Sequence, residues 1–329
     1  MLIYYTLIVL SAFLLGIFFI NILKKFSLSR NLLILKGIPL GGGMGMGLSF
    51  IPVSLSSLFL YQLLSKDMVA IIVSSSIMLV FGLIDDWEEL SIWAKLLVQI
   101  VATTVLIFFG VKTKIVFFGT LLNLAITYIW VLAITNAFNH LDIMDGLAAG
   151  TAIIVSFAFF IISLLNEDIK SAILSLTLTG AAIGFFIYNL PPAKIYMGNA
   201  GSHFLGFILA AIALIISYAP LERKIALLSP LFILGLPIFD TTFLILARII
   251  KKNLPFKKSN DHLALRFLAL GYSKTRTLFT MLILCLFFCL CGIAVSQVSN
   301  LWGMLGTVVF AILVSLVISI KMSKVVVNG

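Results

Sequence analysis

Asp85 and Asp86 stand side by side where one apolar run of this chain ends, and Asp142 and Asp145 stand three residues apart where another ends. Carboxylates gathered in this way hold hard divalent cations and, through them, phosphate oxygens. The second pair belongs to a longer series. Asn136, Asn139, Asp142 and Asp145 recur every third residue, so one face of a helical turn presents two amides and two carboxylates. Such a stripe is costly to leave in hydrocarbon, which puts it against water, metal or ligand. Gly146 follows and permits a helix cap or the close approach of a ligand. Asp85 and Asp86 close their run against the helix macrodipole, so a solvated loop is the plain alternative for them.

Other polar groups mark similar boundaries. Lys95 and Gln99 share a helix face at i, i+4, where Lys95 either neutralises phosphate or snorkels to the interface. The run from Lys36 through Gly41, Gly42 and Gly43 does not form the dinucleotide pattern G-x-G-x-x-G. It reads either as backbone donors for an anion at a helix start or as a tight turn with small-residue packing. Asn189 precedes Pro191-Pro192, which stop a helix, and Gly198-Asn199-Ala200-Gly201-Ser202-His203 offers backbone donors ahead of the next. Asp240 lies inside an apolar run beside Pro237, as a functional acid or as the cap of a broken helix. His262 and Arg266, at i, i+4, could grip phosphate or sugar. The same loop carries Lys251, Lys252, Lys257 and Lys258, which suit anionic headgroups. His140 and His203 border other loops, where a structural role is the ordinary one. Cys285, Cys289 and Cys291 share one apolar run and read as buried small hydrophobes.

The elements that position these groups must be membrane helices. Residues are 62% hydrophobic and 10% charged, and mean hydropathy is +1.23, which excludes a soluble domain. The formal charge of +10 would point to nucleic acid in a soluble chain, but its distribution follows the positive-inside rule instead. Eleven apolar spans are expected, at roughly 2–23, 44–64, 68–84, 92–110, 117–138, 147–165, 171–189, 203–219, 226–249, 277–297 and 303–320, with ten as the alternative. The expected fold is therefore an all-α polytopic bundle in the lipid bilayer, a single membrane domain over 1–329. The first span lacks a basic start and a small-residue cleavage site, so it is expected to stay uncleaved. Of the 22 Lys and Arg, only Lys66, Lys112, Lys114, Lys170, Arg223 and Lys224 fall in the loops on one side. That side is then outside, the carboxyl end lies in the cytoplasm, and the acidic pairs face inward.

Four loops in this order make the chain resemble the polyprenyl-phosphate N-acetylhexosamine-1-phosphate transferases, glycosyltransferase family 4. The resemblance runs from Lys36 to about Arg276. Its strongest pieces are Gly82-Leu83-Ile84-Asp85-Asp86, the stretch from Asn136 to Leu147, and Pro192-Ala193-Lys194-Ile195-Tyr196-Met197-Gly198. Lys36-Gly37-Ile38-Pro39 and the short last loop look closer to the bacterial GlcNAc-1-phosphate branch than to the phospho-MurNAc-pentapeptide translocases. The resemblance implies Mg²⁺-dependent transfer (Mn²⁺ as an alternative) of a HexNAc-1-phosphate from UDP-N-acetylhexosamine to undecaprenyl phosphate, releasing UMP. That step would start a cell-envelope glycan, such as a cell-wall polymer or O-antigen, at the bacterial inner membrane. By the family pattern Asp85, Asp86, Lys95 and Asp142 are catalytic, and Asn139 and Asn199 hold the metal. Lys36, Gly41, Asn136, Asp145, Gly146, Asn189, His262 and Arg266 bind substrate. A homodimer stays open. Two departures stand out: the family's Met-Gly-Asp reads Met197-Gly198-Asn199, and its His-x-His-His keeps only His262, with Ala264 and Leu265. A secondary transporter, with ionisable groups at mid-depth and repeated halves, and an inactive relative that binds lipid phosphate are the rival readings.

Overall fold

The computed structural model describes residues 2–218, 224–250, 261–325 and 327. Each of the eleven expected spans overlaps helix among the described residues. Nine helices among the described residues are long and apolar enough to cross a bilayer, as expected of a multi-pass membrane protein. They are α1 (Leu2–Arg30), α2 (Gly42–Leu60), α3 (Lys66–Trp87), α5 (Thr120–Leu141), α6 (Leu147–Leu165), α7 (Ile169–Asn189), α8 (Gly198–Ile215), α12 (Lys274–Gln297) and α13 (Leu301–Ser323). Between them, α4 (Ile92–Phe108) has 17 residues, and α9 (Ser229–Ile233) and α10 (Gly235–Ile250) meet at a bend of 68°, as in a broken span or a re-entrant loop. A short helix, α11 (Leu263–Ala269), follows the segment that carries Lys251, Lys252, Lys257 and Lys258, which lies outside the described residues.

The chain forms two compact units, Met1–Ser217 and Tyr218–Gly329. In the first, glycines let helix backbones approach closely, the usual basis of helix packing where lipid supplies no hydrophobic drive. A Cβ at Gly180 of α7 would lie 2.5 Å from the Val9 carbonyl oxygen of α1, and one at Gly82 of α3 would lie 2.4 Å from Ala200 Cα of α8. α3 and α5 both pack on α8, and α7 lies between α1 and α6. The N-terminus of α2 is locked in the same way, because a Cβ at Gly43 would meet the Gly201 nitrogen at 2.1 Å. Gly42 and Gly43 donate their N–H groups to the carbonyls of Tyr196 and Met197 at 3.0 Å each. Those two donors are therefore engaged in packing and not turned toward an anion.

Before α2 stands a hairpin of β1 (Ile34–Leu35) and β2 (Ile38–Pro39), with Leu35 opposite Ile38. Its turn residues Lys36 and Gly37 both have positive φ, 50° and 81°, the backbone of a type I′ turn. Pro39 accepts a hydrogen bond from Tyr196 N–H at 2.7 Å, which ties the hairpin to the loop before α8.

In the second unit Pro237 lacks the N–H that would reach Ile233, so the helix breaks there. Cys289 donates to the freed Ile233 carbonyl at 3.4 Å, and the three cysteines are buried and free. Asp240 faces α11: its Oδ1 accepts Leu263 N–H at 2.9 Å and its Oδ2 meets His262 Nδ1 at 2.8 Å. The acid inside the ninth span thus caps α11, not the broken helix beside Pro237 that its second sequence reading named. Arg266 corrects an expectation. Only 2% exposed, it donates to Asp261 Oδ1 at 2.8 Å and to the carbonyls of Met322 and Val325 at 2.7 and 2.6 Å. Its guanidinium satisfies the orphan carbonyls that end α13, so His262 and Arg266 do not form an open gripping face.

Candidate active site

Within the first unit, the connections that follow α1, α3, α5 and α7 are joined to one another by hydrogen bonds. Asp86, in the last turn of α3, accepts the N–H groups of Asn199 and Ala200 at 2.6 and 3.1 Å. A carboxylate at the opening turn of α8 is where the helix macrodipole favours one. Its placement against its own helix dipole, costly in isolation, is offset by this second helix. The fit requires Gly198, whose φ is +71° and whose Cβ would lie 2.4 Å from Asp86 Oδ2.

Asp85 turns elsewhere. Its Oδ1 accepts Leu90 N–H at 2.9 Å and its Oδ2 lies 2.6 Å from Lys95 Nζ. Asp85 is buried and Lys95 partly exposed, so the pair holds the ammonium at the start of α4 with part of its surface open. One turn along, Gln99 and Asn136 exchange amide hydrogen bonds across α4 and α5: Asn136 Nδ2 donates to Gln99 Oε1 at 2.8 Å, and Gln99 Nε2 to Asn136 Oδ1 at 3.4 Å. Asn136 also donates to the Leu132 carbonyl at 2.8 Å, which engages both of its amide protons.

Asn139, the next residue of the stripe, donates to Asn199 Oδ1 at 3.1 Å and to Ser202 Oγ at 2.9 Å. The two expected metal ligands therefore touch each other, at the junction of α5 and α8. Asp142 is the C-cap of α5, and no hydrogen bond or ion pair engages its carboxylate among the described residues. Burial, then the charges of Asp86 and Asp145, hold its carboxyl well above the usual carboxylate range. Asp145 Oδ2 accepts Ala193 N–H at 3.2 Å. Gly146 is left-handed, with φ 80°, and donates its N–H to Asn189 Oδ1 at 2.8 Å, while Asn189 Nδ2 donates to the Ile195 carbonyl at 2.9 Å. Asn189 is buried, so it bolts the acidic loop to the proline loop. His203 is buried on α8, with Nδ1 against the Asn199 carbonyl at 2.9 Å and Phe81 edge-on.

In the first unit, side-chain bonds thus join Asp85 to Lys95, Asp86 and Asn139 to Asn199, Asn136 to Gln99, Asp145 to Ala193 and Gly146 to Asn189, with Asp142 close enough to Asp86 and Asp145 to feel their charge. The hairpin with Lys36 at its exposed tip and the buried Gly41 adjoin these groups through Pro39 and Tyr196. His262 and Arg266 belong to the second unit and its internal bonds. Sequence reasoning did not find Ser202, or the dependence of Asp86 on Gly198. Neither carries a signal, since the partner of each lies on another helix.

Sequence comparison places this arrangement among known proteins. The family described as glycosyl transferase family 4 matches residues 68–217, a stretch holding every residue of these bonds except those of the hairpin. A probable undecaprenyl-phosphate N-acetylglucosaminyl 1-phosphate transferase of Bacillus subtilis is 32% identical over 71% of this chain and 67% of its own length. The chain belongs to glycosyl transferase family 4. A decaprenyl-phosphate N-acetylglucosaminephosphotransferase of Mycolicibacterium smegmatis is 32% identical over 64% of this chain and 59% of its own length. A phospho-N-acetylmuramoyl-pentapeptide-transferase of Streptococcus suis is 32% identical over 54% of this chain and 59% of its own length. The chain thus spans about two thirds or less of the curated relatives it matches.

Proposed function

We propose that this protein transfers a HexNAc-1-phosphate, GlcNAc-1-phosphate first among the candidates, from a UDP-sugar to undecaprenyl phosphate at the cytoplasmic face of the bacterial inner membrane. The observation that carries the reading is the meeting of the Asp85–Lys95 pair, the Asp86-capped start of α8 and the unengaged carboxylate of Asp142 at linked helix ends. The activities for which the relatives are named are of the same class.

The donor set fits Mg²⁺. Among the described residues no three His, Cys, Asp or Glu form a ready cage, yet Mg²⁺ in phosphoryl-transfer sites binds through one or two carboxylates and completes its octahedron with phosphates and water. Asp142, unengaged and crowded by two other acids, is a charge that a cation relieves. Asp142 with the side-chain oxygens of Asn139 and Asn199 would hold the ion. When bound, it would neutralise the donor diphosphate during displacement.

The chain's own groups do the rest. An oxygen of the lipid phosphate attacks the sugar-bearing phosphorus, the bond to the uridine-side phosphate breaks, and UMP leaves with that electron pair. Phosphate monoesters lose their second proton near pH 6, so the nucleophile needs little help from a base. Repulsion between two anions is the larger obstacle, and Lys95, fixed by Asp85, lowers it. A site at the helix ends lets a water-soluble nucleotide meet a phosphate whose tail stays in lipid.

The test is UMP release by purified protein in detergent, with undecaprenyl phosphate, Mg²⁺ and a panel of UDP-HexNAc donors. Turnover with at least one donor is expected. Absence of turnover with all of them would leave an inactive relative that binds lipid phosphate.

A further inference from the structure

Helix α4 carries Lys95, yet it is weakly anchored. Of its 17 residues only Gln99, Ala102, Thr103 and Leu106 are buried. Lipid tails are as apolar as the residues on the outer face of α4, so hydrophobicity does not resist sliding or rotation of such a helix. Something polar must set its register against α5. Among the described residues, side-chain hydrogen bonds cross between these helices at two places. One joins the Thr104 and Tyr128 hydroxyls at 2.8 Å on the exposed surface. The other is the reciprocal amide bridge between Gln99, which is fully buried, and Asn136.

We infer that Gln99 is a positioning residue for the reaction: its amide bridge to Asn136 fixes the height and rotation of α4, and so the place of Lys95 relative to the acidic loop. This rests on the transferase reading above. Gln99 lies one turn from Lys95, and Asn136 lies one turn from Asn139, which bonds to Asn199. The bridge therefore links the ammonium that faces one phosphate to the amides beside Asp142. In a buried, apolar setting a paired amide bridge is directional as well as strong, because either amide left alone is an unsatisfied polar group. It also engages both amide protons of Asn136, so that any contact of this residue with substrate falls to its Oδ1.

The experiment compares kcat, KM for each substrate and thermal unfolding in detergent for wild type, Gln99→Met, Gln99→Asn, Asn136→Gln, the double variant Gln99→Asn/Asn136→Gln, and Thr104→Val. A misplacement of about 1 Å costs up to 100-fold in rate. Gln99→Met should therefore lower kcat by about tenfold or more, with KM for the UDP-sugar within about twofold of wild type. Gln99→Asn and Asn136→Gln should each show a loss. Their combination, which restores the summed length of the bridge, should recover to within about threefold. Thr104→Val should keep wild-type kcat. Wild-type kcat in Gln99→Met, or no recovery in the double variant, overturns the inference while leaving the transferase reading intact. So does a loss in Thr104→Val equal to that in Gln99→Met. A wild-type protein without turnover refutes the transferase reading itself.

Discussion

Asp86 is the residue on which most of the geometry converges, since it serves α3 by position and α8 by charge. Asp86→Asn keeps the size of the side chain but replaces one of the two acceptor oxygens with a donor that faces an N–H group. Transfer should fall by about 100-fold or more, because the start of α8 and the residues it carries lose their anchor; unchanged UMP release would remove Asp86 from the mechanism. Asn199 predicts the opposite sign. Its Oδ1 already accepts from Asn139, and an aspartate oxygen accepts the same bond while adding the charge that a hard cation favours. Asn199→Asp should lower the Mg²⁺ concentration for half-maximal rate, read from a Mg²⁺ titration of UMP release. A fall in activity would mean that the site is built around the amide. Chelation by EDTA should abolish turnover in both proteins and Mg²⁺ should restore it.

At the scale of elements, the apolar helices were legible because about 20 apolar residues in succession have few other uses. Their capping and joining were not. Asn189 was singled out as a substrate ligand, but its partners are a backbone N–H at Gly146 and a carbonyl at Ile195, and backbone partners leave no trace in sequence. Arg266 misled in a similar way. An i, i+4 pair with His262 read as a gripping face, whereas the chain uses it to end α13, a contact made 56 residues away. The Gly-rich run before α2 left two readings open, and the clash a Cβ at Gly43 would make with Gly201 decides between them. Two substitutions test these joints. Gly198→Ala would strain a left-handed backbone by about 1–2 kcal/mol and drive a methyl into Asp86. It should cost more activity than stability, read as kcat against unfolding temperature. Arg266→Met should act the other way round. It removes one partner of Asp261 and leaves the carbonyls of Met322 and Val325 without their donor, a loss of about 1–3 kcal/mol visible as a lowered unfolding temperature.

For the molecule as a whole, the open quantity is how the first unit crosses the bilayer, and α4 decides it. Its 17 residues span about 25 Å at 1.5 Å per residue, slightly short of a hydrocarbon core of about 30 Å. If α4 crosses, the connections after α1, α3, α5 and α7 share one face, as their mutual hydrogen bonds demand. The loop bearing Lys112 and Lys114 then lies on the other. Were α4 to turn back within the membrane, α5 would begin on the side where the acidic pairs lie and Asp142 would end opposite Asp86. The charge distribution predicts the direction, with the acidic loops expected in the cytoplasm. Because Cys285, Cys289 and Cys291 are all buried, a single introduced cysteine can be read against a low background. Lys114 and Lys194 are both exposed positions in loops. In intact cells a membrane-impermeant maleimide should label Lys114→Cys and leave Lys194→Cys unlabelled until the membrane is opened. Labelling of both from outside, or of Lys194→Cys alone, would contradict this orientation, and with it the delivery of a cytoplasmic nucleotide to Asp142 and Lys95.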